Sequence, residues 1–256
     1  MNIDRERYAL ITRPRVDAEE IVAALQVRGI NSVITPMMTI FYASKIPKSL
    51  IKDLYAILFT SRNGVRAFAQ FSEDRDFLVF TVGSSSAALA SELGFKNIGN
   101  SEGDSKELIN LVKTALRPSD GRLLHVSGAN TVGNIADALL TEGFDIERRA
   151  FYEARPVSNL SESTVTKLRD GLFEYILFFS PRTARIFLKL LGEVKLQDKL
   201  AAVTALCLSK TIAKEIEVHK WKDIRVSAKP TTKDLVNMLD FSNCPAIPTA
   251  KTGEGG

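Results

Sequence analysis

The chain has 256 residues, 34 basic against 30 acidic, and a net charge of +4; its length suits two modest domains or one large α/β domain, and 45% hydrophobic with 25% charged residues excludes disorder as the main state. The positive excess is spread without long basic runs, so it favours an acidic small molecule and gives little support to nucleic-acid binding. No apolar run approaches the roughly 18 residues of a membrane span, and the charged start MNIDRER lacks a secretory h-region, so a cytoplasmic protein is expected.

Tyr8–Thr12 reads as a strand broken by Arg13-Pro14. Asp17 is then placed to cap a helix running to about Arg28, with Glu20 at the capping-box position and Gly29 as its stop. Asn31–Thr35 is a second strand. After Pro36 the βαβ rhythm fails, and Met37–Tyr42, apolar without helical period, reads as an extended connector. From Tyr55 a new series gives strand 55–60, helix 63–71, strand 78–82, helix 85–93 stopped by Gly94, helix 105–116, strand 122–126 and helix 131–142 stopped by Gly143. This alternation predicts a parallel sheet with helices on both faces. Arg148–Pro156 is again extended, and could pair with the first connector. The last series is helix 161–169, strand 174–179, helix 182–191, strand 203–208, helix 210–219, strand 223–227 and helix 232–240. The tail 241–256, with Pro, Gly and no period, is expected to be disordered.

Tyr55–Phe68 (YAILFTSRNGVRAF) recurs as Tyr175–Phe187 (YILFFSPRTARIF), with Ser61 and Ser180, Arg66 and Arg185, and Phe68 and Phe187 all keeping one offset. Each copy is an apolar run, a Ser and a helical pattern, which is a strand feeding a helix through an N-cap. If the two connectors pair, the segments outside them must lie together. Domain one is then 1–36 with 157–240, and domain two, 43–147, is inserted, with 37–42 and 148–156 as the connecting ladder. Two βα modules facing each other make a cleft, a usual place for a small-molecule site.

Turns that enter helices at a sheet's carboxyl edge expose backbone N–H groups and the positive end of the helix dipole, which suit carboxylates. Five such turns are candidates: Ser61-Arg62-Asn63, Gly83-Ser84-Ser85-Ser86, Ser127-Gly128-Ala129-Asn130, Ser180-Pro181-Arg182-Thr183 and Ser209-Lys210-Thr211. The simpler reading is that each Ser caps its own helix; a cap and a ligand-facing N–H can share one turn. Arg13, Arg62, Arg182 and Lys210 fall near the same edge and could meet substrate carboxylates. Cys207 and Cys244 lack zinc spacing and His125 and His219 are far apart, so no metal site is expected. Nucleotide-binding glycine runs are absent as well, and no cofactor is expected.

LITRP (10–14), FTSRNGV (59–65), VGSSSAALASELG (82–94), the spacing from Gly128 through Leu140 to Gly143, FYEARP (151–156), FFSPRTARIF (178–187), ALCLSKTIA (205–213) and WKDIRVSAKPT (221–231) together resemble the uroporphyrinogen-III synthase family over residues 8–240. The resemblance implies two flavodoxin-like parallel-sheet α/β domains joined by a two-stranded β-ladder. It also implies the reaction: hydroxymethylbilane, a linear tetrapyrrole with eight carboxylates, closes with loss of water and inversion of its last ring through a spiro intermediate. Neither metal nor cofactor is implied, and without the enzyme the chain closes uninverted to the type I isomer. Tyr152 matches a family tyrosine assigned as an acid that helps the hydroxyl depart; a strand Tyr is also a good packing residue. Ser86 stands where the family has Thr, and Ile212 where a Thr is common, with Thr211 beside it. The expected partner is the small-molecule tetrapyrrole, with no nucleic acid and no membrane, and a monomer is expected. Two competing readings are a cytoplasmic two-domain module that binds an anion without turnover, and a flavodoxin-like cofactor binder that would copurify with yellow flavin.

Overall fold

The computed structural model describes residues 6–102, 104–130 and 133–239; the tail 241–256 lies outside them. In chain order the elements begin with β1 (Tyr8–Ile11), α1 (Glu19–Val27), β2 (Asn31–Ile34), β3 (Met38–Tyr42), β4 (Leu54–Phe59) and α2 (Arg62–Ala69). There follow β5 (Leu78–Val82), α3 (Ser84–Glu92), β6 (Asn97–Ser101), α4 (Ser105–Ala115), β7 (Arg122–Gly128), α5 (Ile135–Thr141) and β8 (Ile146–Pro156). The last are α6 (Glu162–Arg169), β9 (Phe173–Phe178), α7 (Pro181–Glu193), β10 (Thr204–Cys207), α8 (Lys210–Ile216), β11 (Asp223–Val226) and α9 (Thr232–Val236). They form two compact units, one from residues up to Thr39 together with those from Pro156 onward, the other from Ile40–Arg155.

The first unit holds a five-stranded parallel sheet in the order β11-β10-β9-β1-β2. Counted along the chain this is 2-1-3-4-5, the flavodoxin-like order. The second unit's sheet runs β3-β8-β7-β4-β5-β6, with β8 through β6 parallel. Counted from β4 its parallel strands read 3-2-1-4-5, but counted from β7 they too read 2-1-3-4-5. One sheet is thus a circular permutation of the other. Under it β4 and β9 hold the same place, which is why the repeated sequence falls on these two strands.

The central strands β4 and β9 are apolar and buried over 56–59 and 175–178, because helices cover both faces there. Their residues alternate between cores: Ile57 and Phe59 pack with Val65 and Phe68, whereas Ala56 and Leu58 pack with Leu108 and Val112. In β9, Ile176 and Phe178 join Phe187 and Trp221, while Tyr175 and Leu177 face Ile21 and Leu25. This period of two is what fixes register in a sheet buried on both sides.

Several expectations are corrected. Asp17 does not cap α1: it ends a 3-10 turn, Arg15–Asp17, started by Pro14, and the helix follows Ala18 with no side-chain cap. β6 has no counterpart in the sequence reading, because NIGNS is polar and Asn and Gly are poor strand formers. It survives as an edge strand on β5, and its Gly99 is required because a Cβ there would stand 2.9 Å from the Phe80 ring. The helix expected from 131 begins at Ile135, and those expected to reach 219 and 240 end at Ile216 and Val236. β3 lies next to β8 in the sheet order, and Ile146–Tyr152 is also paired in parallel with β7, so the second connector is a full member of the sheet.

This division leads to an expectation for fragments. Residues 40–155 expressed alone should fold cooperatively, whereas 1–147 lacks β9, β10 and β11, three strands of the first sheet. Limited proteolysis that left 1–147 as one compact product would overturn the division.

Candidate active site

In the second unit the end of β4 meets the end of β8. Ser61 is the N-cap of α2, extended in backbone, and its Oγ accepts from the Gly64 N–H at 3.1 Å. The same Oγ lies 2.8 Å from the Tyr152 hydroxyl. Tyr152 stands beside Gly128 in the sheet, just past a bulge between Ser127 and Gly128, and its carbonyl accepts from the Ala129 N–H at 2.8 Å. Phe151 beside it is fully buried, with its ring 5.9 Å from that of Phe68 and 5.6 Å from that of Phe71, and Tyr152 packs against the same core cluster. Core packing of Phe151 therefore holds Tyr152 at the edge, half-buried. Ser61, Gly128 and Tyr152 are brought together, with Arg62 and Asn63 in the adjoining first helical turn.

Gly83 precedes α3 with φ +79°, and no side chain caps that helix. A Cβ at Gly83 would meet nothing within 4 Å, so only the backbone conformation demands glycine. Ser86 is buried inside the first turn and its N–H is taken by the Gly83 carbonyl at 3.0 Å. Ser127 is not a cap: it lies within β7, and α5 begins well beyond it. Its hydroxyl instead accepts from Arg148 Nε at 3.1 Å, while Arg148 Nη2 reaches the Gly128 carbonyl at 3.2 Å. Sequence reasoning missed Arg148, which carries no local signal because both of its partners lie on the neighbouring strand.

In the first unit Ser180 caps α7, accepting from the Thr183 N–H at 3.1 Å, with Pro181 at the first helical position where its missing N–H costs nothing. Ser209 caps α8 through the Ile212 N–H at 3.4 Å. Thr211 is exposed, and Ile212 is a core residue. Arg13, just past β1, stacks its guanidinium 4.4 Å over the Phe179 ring and places Nη1 3.5 Å from the Thr232 hydroxyl. Thr231 caps α9 and was not foreseen.

The other nucleophilic and titratable candidates are silent here. Burial pushes the Cys207 thiol up to about 12, which leaves it inert near neutral pH. Among the described residues no cluster of three or more His, Cys, Asp or Glu could hold a metal ion, and no helix is long and apolar enough to cross a membrane. What each carboxyl edge offers is N–H donors and hydroxyls, suited to polyanion recognition; the second unit adds one phenol fixed on a helix cap.

The family model described as Uroporphyrinogen-III synthase HemD matches residues 19–237. The chain belongs to the uroporphyrinogen-III synthase family. Its members act in tetrapyrrole synthesis, and this chain is an enzyme of that kind. Among solved uroporphyrinogen-III synthases, that of Helicobacter pylori is similar at TM-score 0.59 and 15% identity, covering 90% of this chain and 97% of the other. A mutant uroporphyrinogen-III synthase from the extremely thermophilic bacterium Thermus thermophilus is similar at TM-score 0.53 and 17% identity, covering 91% and 95%. At such identities the likeness is one of fold. No curated protein matches the chain.

Proposed function

We propose that the chain closes hydroxymethylbilane to uroporphyrinogen III as a hydro-lyase, releasing water and inverting the terminal ring. The observation that carries the chemistry is the 2.8 Å contact between Ser61 Oγ and the Tyr152 hydroxyl. Ser61 Oγ accepts from the Gly64 N–H and keeps its own proton, which in this reading it donates to the phenolic oxygen. The phenol proton is then directed to the substrate's departing hydroxyl. The charge left on the phenol oxygen is stabilised by Ser61 and by the positive end of α2. Tyr152 acts as general acid, and Ser61 as its positioning residue.

Substrate carboxylates are taken by the helix-entry turns at Ser61–Asn63, Gly83, Ser180-Pro181 and Ser209–Thr211, with Arg13 as a cationic contact and Ser127-Gly128 held in place by Arg148. In this reading the enzyme is a cytoplasmic monomer acting on a small molecule, with no cofactor and no nucleic acid. The test is to supply hydroxymethylbilane to the purified protein and measure rate and isomer ratio. Type III product well above the spontaneous rate is expected. Type I product at the uncatalysed rate would overturn the reading, and binding without turnover would make the chain an anion-binding module.

Gly83→Val tests the turns separately from the phenol. A β-branched residue at φ +79° costs about 1–3 kcal/mol of strain, and relief of that strain would turn the N–H groups away from the substrate. A raised KM with a smaller change in kcat is expected, together with a lower melting temperature. An unchanged KM in a folded variant would remove this turn from the binding surface.

A further inference from the structure

The second unit carries another concave site, whose lining includes none of the helix-entry turns. Ser44, Lys45, Ile46, Pro47, Lys48, Ile51 and Phe71 line a cavity of about 610 Å³. The segment leading into β4 supplies most of the wall, and Phe71, just past the end of α2, supplies the rest. The cavity starts beside Phe151, whose carbonyl accepts from the Ala43 N–H at 2.9 Å, and runs from there along the segment that leads into β4.

The cavity is built rather than incidental. Ile46, Ile51 and Phe71 pack against the core, and Phe71 meets the buried Phe151 edge to face. The loop is fixed from behind by Arg122 of β7, which donates to the carbonyls of Ser49, Leu50 and Lys52. Lys45 and Lys48 are exposed at the rim. Among the described residues neither ammonium group has an ion-pair or hydrogen-bond partner, and no acidic residue lines the cavity. Its size is within the range of small-molecule sites. An apolar floor with two uncompensated ammonium groups at its mouth selects a ligand with an apolar body and a negative end.

We propose that this cavity binds an amphipathic organic anion, a small molecule with a flat or aliphatic apolar body and one or two acidic groups. The site is separate from the helix-entry turns, and the proposal stands or falls independently of the synthase reading. The full chain is titrated with 8-anilinonaphthalene-1-sulfonate, following fluorescence, alongside Lys45→Gln/Lys48→Gln and Ile46→Glu variants whose fold is checked by circular dichroism and melting. Saturable single-site binding is expected, weakened about tenfold or more in each variant and weakened by salt, with turnover of hydroxymethylbilane by the lysine variant unchanged. Equal affinity in wild type and folded variants would put the dye elsewhere and overturn the proposal, as would the absence of saturable binding.

Discussion

Tyr152→Phe is expected to lower the rate of ring closure by about 10- to 1000-fold, the usual span of general-acid assistance, while the residual product stays type III. The two halves of that expectation have different causes. The phenol hydroxyl, held 2.8 Å from Ser61, supplies a proton to the leaving oxygen, and Phe removes it without disturbing the strand. The isomer is decided by how the flexible octacarboxylate is folded, which rests on orientation and backbone N–H contacts distributed over several turns. Ser61→Ala should show the dependence directly: it loses a helix cap, about 1 kcal/mol of stability, and it also loses part of the same rate factor. Because the two side chains share one hydrogen bond, the double variant should be slowed less than the product of the single effects. Stopped assays of rate and isomer ratio decide the matter. Full activity in Tyr152→Phe, or mainly unrearranged product, would break the division between an assisting phenol and an orienting backbone.

What the sequence made legible was local. An apolar run, a Ser and a helical pattern are contiguous, so the caps at Ser61, Ser180 and Ser209 could be read from spacing, and the repeat exposed two of them as copies. Gly83 was legible for the same reason, since a glycine between a strand and a helix marks a special φ. The Ser61–Tyr152 contact was not, because it joins residues 91 apart through the order β8-β7-β4 and a bulge that no local pattern announces. Ser127 was misread as a cap because a Ser-Gly pair after a strand looks the same whether a helix follows at once or, as here, only at Ile135. Arg148 was passed over because its partners, the Ser127 hydroxyl and the Gly128 carbonyl, come from the neighbouring strand. β6 was invisible because an edge strand with one partner needs little apolar sequence.

Stability of the second unit is expected to fall steeply in mild acid, and the cause is one residue. His125 lies on β7, 2% exposed, and among the described residues neither ring nitrogen has a hydrogen-bond partner. Burial, and secondarily the nearby charge of Arg148, push its pKa down to about 4 from an ordinary 6.5. The unfolded chain therefore takes up a proton near pH 6.5 while the folded chain refuses it until about pH 4. The contribution is fully present above the unfolded value and is lost as pH falls through that window, reaching about 3 kcal/mol at its lower end. Replacing the imidazole by a side chain that never charges should remove this slope. His125→Leu, similar in volume and without orphaned nitrogens, should be at least as stable as wild type at about pH 7 and increasingly more stable toward about pH 4.5. Urea unfolding of both proteins at about pH 7, 5.5 and 4.5 measures the difference directly, and carboxylate effects common to both cancel. Parallel pH dependences would mean that His125 titrates normally in the folded state, and that water reaches the β7 face where the structure buries it.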